Sequence, residues 1–165
     1  MSHPGRDALE AVFARLGIRP RSIEHPPVHT VEDARPHWAA LDGEHTKNLF
    51  LKDARGNLWL VVLPAERRAD LKALAEQLGA KKFSFASAAL LEEVLGVQQG
   101  SISPLALVND TEHRVRLVVD AGLLAAPAIT FHPLTNTATV ALSAEDFRRF
   151  LADTGHAPQP VALGP

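Results

Sequence analysis

The sequence contains no cysteine. Disulfide staples, thiolate zinc sites, iron–sulfur clusters and cysteine nucleophiles are therefore excluded together, and the cytoplasm is the default compartment. Tyrosine is also absent, and two Trp and seven Phe are too few for a broad base-stacking platform. No apolar run approaches the roughly 20 residues that cross a bilayer. The opening residues Met1-Ser2-His3-Pro4-Gly5-Arg6-Asp7 hold no apolar core of the signal-peptide kind. An excess of one charge sign is missing too, with 17 Lys and Arg against 19 Asp and Glu and a net charge of −2. Proteins that coat nucleic acid nonspecifically carry a strong positive excess, because phosphate neutralisation supplies most of that affinity. An uneven placement of the cations still permits a grip on one nucleic-acid end.

What is present is an ordinary globular composition, 46% apolar and 22% charged over 165 residues. That length supports one compact domain with a real core, spanning residues 1–165, and is short for two. The pattern predicts an α/β domain. Leu9, Val12, Phe13 and Leu16 follow helical spacing over residues 6–16, with Gly17 placed to cap. Residues 18–36 hold Pro20, Pro26, Pro27 and Pro36 and read as extended chain or loop, with a short helix near residues 31–40. Residues 46–53 and 57–63, joined across Ala54-Arg55-Gly56, read as a hairpin. Helices are expected over 65–78 and 87–95, each closed by glycine. Strands are expected over 105–108, 115–119, 128–131 and 137–141. A last helix starts at Ser143, which forms a capping box with Asp146. Residues 155–165, with Pro158, Pro160 and Pro165, are expected to be a loose tail.

Generic catalytic signatures fail one by one. His25 and His29 have a metal-ligand spacing only if they share a helix face, and Pro26 and Pro27 between them remove that helix. Ser101 and Ser103 lie in a glycine-bearing loop, yet neither has glycine two residues to both sides, as a nucleophile elbow requires. Phosphate-cradling loops of the G-x-x-x-x-G-K-[ST] and G-x-G-x-x-G types are absent. Lys47 and Asn48 stand at the entrance of an otherwise apolar strand, Leu49-Phe50-Leu51. A lysine there is either a solvated edge residue or a fixed cation aimed into a cleft, where it binds a carbonyl or a phosphate. His132 ends a strand before Pro133, where a histidine taken by itself is more often a turn residue than a catalytic one.

Taken in order, several segments carry a resemblance. They are His25-Pro26-Pro27-Val28, His45-Thr46-Lys47-Asn48-Leu49-Phe50-Leu51-Lys52-Asp53, Gly96-Val97 with Gly100-Ser101-Ile102-Ser103-Pro104, Val108-Asn109-Asp110, and residues 131–139, which open Phe131-His132-Pro133. Together they resemble the YbaK/ProX family of aminoacyl-tRNA deacylases, freestanding relatives of the editing domain of bacterial prolyl-tRNA synthetases. The likeness spans residues 9–151 and is greatest to the ProXp-ala branch. It implies a mixed, barrel-like β-sheet with helices packed outside. It also implies hydrolysis of the ester joining an amino acid to the terminal ribose of tRNA, without metal, cofactor or protein nucleophile. Alanine on proline tRNA is the implied substrate, with cysteine, serine or threonine esters as sister alternatives and a noncatalytic binding module as the rival class. Such an editor is needed because a synthetase pocket discriminates small apolar side chains by only about 1–3 kcal/mol.

By the same resemblance, Lys47 matches the family's essential lysine, and Asn48 an adjacent substrate-positioning residue. His132 matches the histidine shaping the aminoacyl pocket, and Gly100 and Ser101 the loop whose backbone N–H groups approach the ester. The chain departs from many relatives in having Gln99 where a proline would stiffen that loop. The implied partners are the tRNA acceptor end and, beyond it, prolyl-tRNA synthetase or an elongation factor, with no membrane or DNA. Arg67, Arg68, Lys72, Lys81 and Lys82, and separately Arg148 and Arg149, are the cations available to meet phosphates.

Overall fold

The computed structural model describes residues 4–28 and 30–162. Its centre is the hairpin of β2 (Thr46–Lys52) and β3 (Leu58–Pro64), antiparallel with Phe50 opposite Leu60. β3 is buried from Leu58 to Leu63, which explains its unbroken apolar run: a strand covered on both faces has no reason to alternate. β5 (Val115–Asp120) lies parallel to β3 on its other side, and β8 (Gln159–Val161) lies parallel to β5. A two-residue strand, β4 (Ser84–Phe85), closes the far edge of β2, giving the order β4-β2-β3-β5-β8.

The second sheet has three antiparallel strands, β1 (Arg21–Glu24), β7 (Ala138–Ser143) and β6 (Ala128–Phe131), in the order β1-β7-β6. A single bridge, Glu44 to Ile129, and the Thr46 hydroxyl donating to the Thr130 carbonyl at 2.8 Å tie it to β2. Between the sheets sits one apolar core, where Phe50, Leu60 and Val62 from the larger sheet meet Ile129, Phe131 and Val140 from the smaller. Helices α1 (Pro4–Leu16), α4 (Ala88–Leu95) and α6 (Ala144–Thr154) add Phe13, Leu91 and Phe150 to that core. Helix α3 (Leu71–Leu78) covers the other face of the larger sheet, with Leu74 against Trp59 and Val118. The resemblance implied one mixed, barrel-like sheet with helices outside; the α/β domain and its outer helices are as implied, with the strands divided between a mixed five-stranded sheet and an antiparallel three-stranded one.

Three expectations need correction. The helix foreseen over 65–78 starts only at Leu71, because the Asp70 side chain accepts from Ala73 N and caps it there, while residues 64–67 make a turn. The apolar run at 105–108 is not a strand but part of a 3-10 helix, Pro104–Asn109. Pro104 at its first position and Ser103 Oγ accepting from Leu105 N at 3.1 Å start the helix, and a four-residue apolar run cannot by itself distinguish the two. Residues 155–165 are not a loose tail as far as they are described. Residues 159–161 form β8, Val161 is buried, and His156 is buried against Asp110 at 2.9 Å. Helix α5 (Ala121–Leu124) and β4 are short elements without a periodic signal.

Candidate functional site at the joint of the two sheets

The two sheets do not close where they meet. A cleft of about 160 Å³ opens there, walled by β2 residues 46–48, by 130–132 at the end of β6, by the loop at 99–102, and by Trp38. Trp38 belongs to the 3-10 helix Arg35–Ala40, which continues α2 (Val31–Ala34) across the cleft mouth. Lys47, Asn48, Gly100 and His132 all line this one cleft, although 84 residues separate the Thr46–Thr130 bond that seats them. Ser101 is not in the wall; it is buried behind it, its N–H donating to the Gln98 carbonyl at 2.9 Å.

Each wall residue is fixed by a local cause. Strand alternation decides Asn48. Ala86 N donates to Phe50 O at 3.0 Å, so Phe50 turns its peptide groups toward β4 rather than β3. Two residues on, Asn48 must point its own N–H and C=O the same way, where β4 has already ended and the 99–102 loop stands instead. Asn48 Oδ1 is buried without a hydrogen-bond partner. Buried polar atoms are otherwise nearly always paired, so this acceptor is held at a cost to folding. The loop is clamped at both ends. Gly96 ends α4 at φ +68°, leaving room for Asn109, whose amide donates to the Leu95 carbonyl at 2.9 Å.

Lys47 is half-buried, and burial pushes its ammonium below the ordinary lysine value, while the Glu66 carboxylate pulls it partly back. Glu66 is itself held in an ion pair by Arg35, whose guanidinium also lies 5.2 Å from the centre of the Trp38 ring. His132 donates from Nδ1 to the Ala138 carbonyl at 3.0 Å, an assignment fixed by the acceptor, which leaves Nε2 as the ring's free acceptor. Burial lowers its pKa, the Ala138 carbonyl opposes that, and His25 lowers it further. The imidazole is thus biased toward its neutral form. His25 is oriented in turn: its Nδ1 donates to the Pro26 carbonyl at 2.9 Å and its Nε2 accepts from the Thr139 hydroxyl at 2.8 Å. The lining also holds a stacked pair, Trp38 on His45 with ring centres 4.6 Å apart.

The chemistry available is that of a small polar slot with a cation on one side and a neutral base on the other. A carbonyl placed against Lys47 is polarised, and a proton leaving an adjacent hydroxyl has His132 Nε2 to accept it. The pair His25 and His29 cannot be judged as a unit, since His29 lies outside the described residues. Among the described residues no three His, Asp or Glu side chains group as ligands for a metal ion.

Residues 25–150 match the model of the aminoacyl-tRNA editing domain, and this span contains every wall of the cleft. The chain belongs to the aminoacyl-tRNA editing domain family. Among curated relatives it is 45% identical over 158 residues to "Prolyl-tRNA synthetase associated domain-containing protein 1" of Bos taurus, covering 93% of this chain and 92% of the relative. It is 36% identical over 165 residues to "Prolyl-tRNA editing protein ProX" of Acetoanaerobium sticklandii, covering 95% and 98%. A solved structure of a proposed trans-editing enzyme for prolyl-tRNA synthetase superposes with a TM-score of 0.72 at 19% identity, covering 99% of this chain and all of that one, which speaks for the shared fold. Within the editing-domain family frame, Trp38, His45, Thr130 and Thr139 are wall residues that sequence reasoning missed. His45 and Thr139 stand within segments that carried the resemblance, and Trp38 is one of only two tryptophans.

Proposed function

We propose that this chain is a trans-editing hydrolase that deacylates mischarged tRNA, with alanine on proline tRNA as its substrate. The observation that carries the reading is that half-buried Lys47 and His132, whose pKa burial lowers, both line one small cleft. Hydrolysis adds water to the ester carbonyl carbon; the C–O bond to the ribose then breaks, and the ribose oxygen takes up a proton. Lys47 donates to the carbonyl oxygen as it gains negative charge, where a fixed donor is worth about 100- to 1,000-fold in rate. Asn48 holds the amino-acid end, and the Gly100 backbone bounds the ester. His132 Nε2 takes a proton from the attacking water or from the neighbouring ribose hydroxyl that positions it. The step needs no metal and no protein nucleophile. A slot of about 160 Å³ favours a short side chain, in keeping with alanine. The partner is the tRNA acceptor end, met by a few surface cations, with prolyl-tRNA synthetase or an elongation factor as the delivering protein, in the cytoplasm.

The test compares release of alanine, cysteine, serine and proline from proline tRNA by the wild type and by Lys47→Ala. Selective alanine release lost in the variant supports the reading. Release of another amino acid moves the chain to a sister branch. Binding of tRNA without release of any amino acid overturns it in favour of a binding module.

A further inference from the structure

A second cleft, of about 280 Å³, adjoins the first and shares Asn48, Gln99, Gly100 and Ile102 with it. Its character differs. Leu49, Phe50, Ala86 and Leu91 make the floor, and Phe85 stands at its side. Among the described residues Phe85 is the one large hydrophobic side chain left exposed, at 63%. A single exposed hydrophobic side chain is ordinary on a protein surface; what sets Phe85 apart is that it borders a cleft continuous with the first.

Position argues for what covers it. Phe85 is held in the plane of the larger sheet by β4, opposite Leu51, and Ala86 N donates to Phe50 O, so the ring is presented from a fixed backbone. Lys52 pairs with Ser84, and Lys81 and Lys82 precede β4; all three lysines are exposed. A cleft lined by Phe50 and Phe85 that shares a wall with the first, with exposed lysines on the neighbouring sheet edge, matches a nucleoside whose ribose carries an ester. The base and the aminoacyl group hang from the same sugar, so their two pockets must adjoin, as these two clefts do through their shared wall.

We propose that the second cleft binds the terminal adenine of aminoacyl-tRNA by stacking on Phe85, with Lys52, Lys81 and Lys82 meeting the phosphates that precede it. This rests on the deacylase reading and assigns the nucleobase half of the same site. One base on one ring suits a chain too poor in aromatics for a platform, and it anchors the end common to all tRNAs while leaving amino-acid choice to the first cleft. Base–aromatic stacking is worth about 1–3 kcal/mol, a factor of roughly 5 to 150 in affinity.

The experiment uses alanylated proline tRNA and the same RNA with an abasic terminal nucleotide, each given to wild type, Phe85→Ala and Phe85→Trp. Phe85→Ala is expected to raise KM about tenfold with kcat little changed, and Phe85→Trp to restore KM. The abasic substrate is expected to lose the same factor on the wild type and nothing further on Phe85→Ala, the signature of two partners in one contact. A 2-aminopurine at the terminal position is expected to be quenched on binding wild type and to stay bright with Phe85→Ala. Equal KM for wild type and Phe85→Ala, or additive losses with the abasic substrate, overturns the stacking site while wild-type turnover keeps the deacylase reading intact. Absence of turnover by the wild type on every aminoacyl ester overturns the deacylase reading itself, and the nucleobase site with it.

Discussion

Two regions of this molecule hold polar groups out of water, and they treat them in opposite ways. In the turn between β2 and β3, Asp53 is buried and accepts four hydrogen bonds, from Arg55 N and Asn57 N at 2.9 Å and from Asn57 Nδ2 and Trp59 Nε1 at 3.0 Å. Burial pushes its pKa up, the four donors push it down, and the donors win, leaving it at about 2. Asp110 repeats the pattern, accepting from Arg114 N, Val115 N and His156 Nε2, all at 2.9 Å. At the joint of the sheets, by contrast, Asn48 Oδ1 has no partner, and burial pulls Lys47 and His132 toward their neutral forms. Satisfied polarity fixes a fold, whereas polarity left wanting is reserved for a molecule still to arrive.

That contrast breaks if polar groups of the two regions answer to the same readout. The largest expected effect is on Lys47. Lys47→Ala should lower deacylation at least about 100-fold while leaving the thermal midpoint nearly unchanged, measured by single-turnover assay beside calorimetry. Asp53→Ala should do the reverse. It strands several buried donors and should cost about 3 kcal/mol or more in urea unfolding, with the activity of the folded fraction retained.

Acid sharpens the same division. The carboxyl of Asp53 is depressed from 3.8 to about 2, so its stabilisation is complete above pH 3.8 and is lost as pH falls through about 2. The shift corresponds to about 2 kcal/mol, read from unfolding midpoints across that window. Catalysis should respond in a different range. His132 must be neutral, and its pKa lies below the ordinary 6.5, so the acid limb of the rate profile falls below pH 6.5. Lys47 must be charged, and its pKa lies below 10.5, so the alkaline limb falls before that value. The smallest expected effect is at Asn48. Asn48→Leu removes an unpaired buried acceptor and should leave stability unchanged or raise it by about 1 kcal/mol, while activity drops.

Much of this was legible beforehand because local rules governed it. The β2–β3 hairpin, β6 and α6 follow from apolar patterning, a short turn and the Ser143 cap, whose Oγ accepts from Asp146 N at 3.0 Å. The first site residues were legible only through resemblance, since nothing near Lys47 in sequence says that it shares a cleft with His132. The rest depended on distant partners. Residues 159–161 carry two prolines' worth of turn-like composition around them, and become a strand only because β5 offers an edge. Residues 104–109 coil because Ser103 caps them, against a composition that suits a strand equally. Phe85 gave no sign of its exposure, as a phenylalanine is ordinarily core.

The joint between the sheets also sets a timetable. One wall of the cleft is made by residues 46–48 and another by 130–132, with Thr139 behind the second. A chain emerging from the ribosome at about 5–20 residues per second has its lysine long before it has its histidine. The hairpin can form early, but it encloses nothing until the last third of the polypeptide has been made. On the proposed reading, a nascent chain is therefore inert toward aminoacyl esters until the second sheet docks.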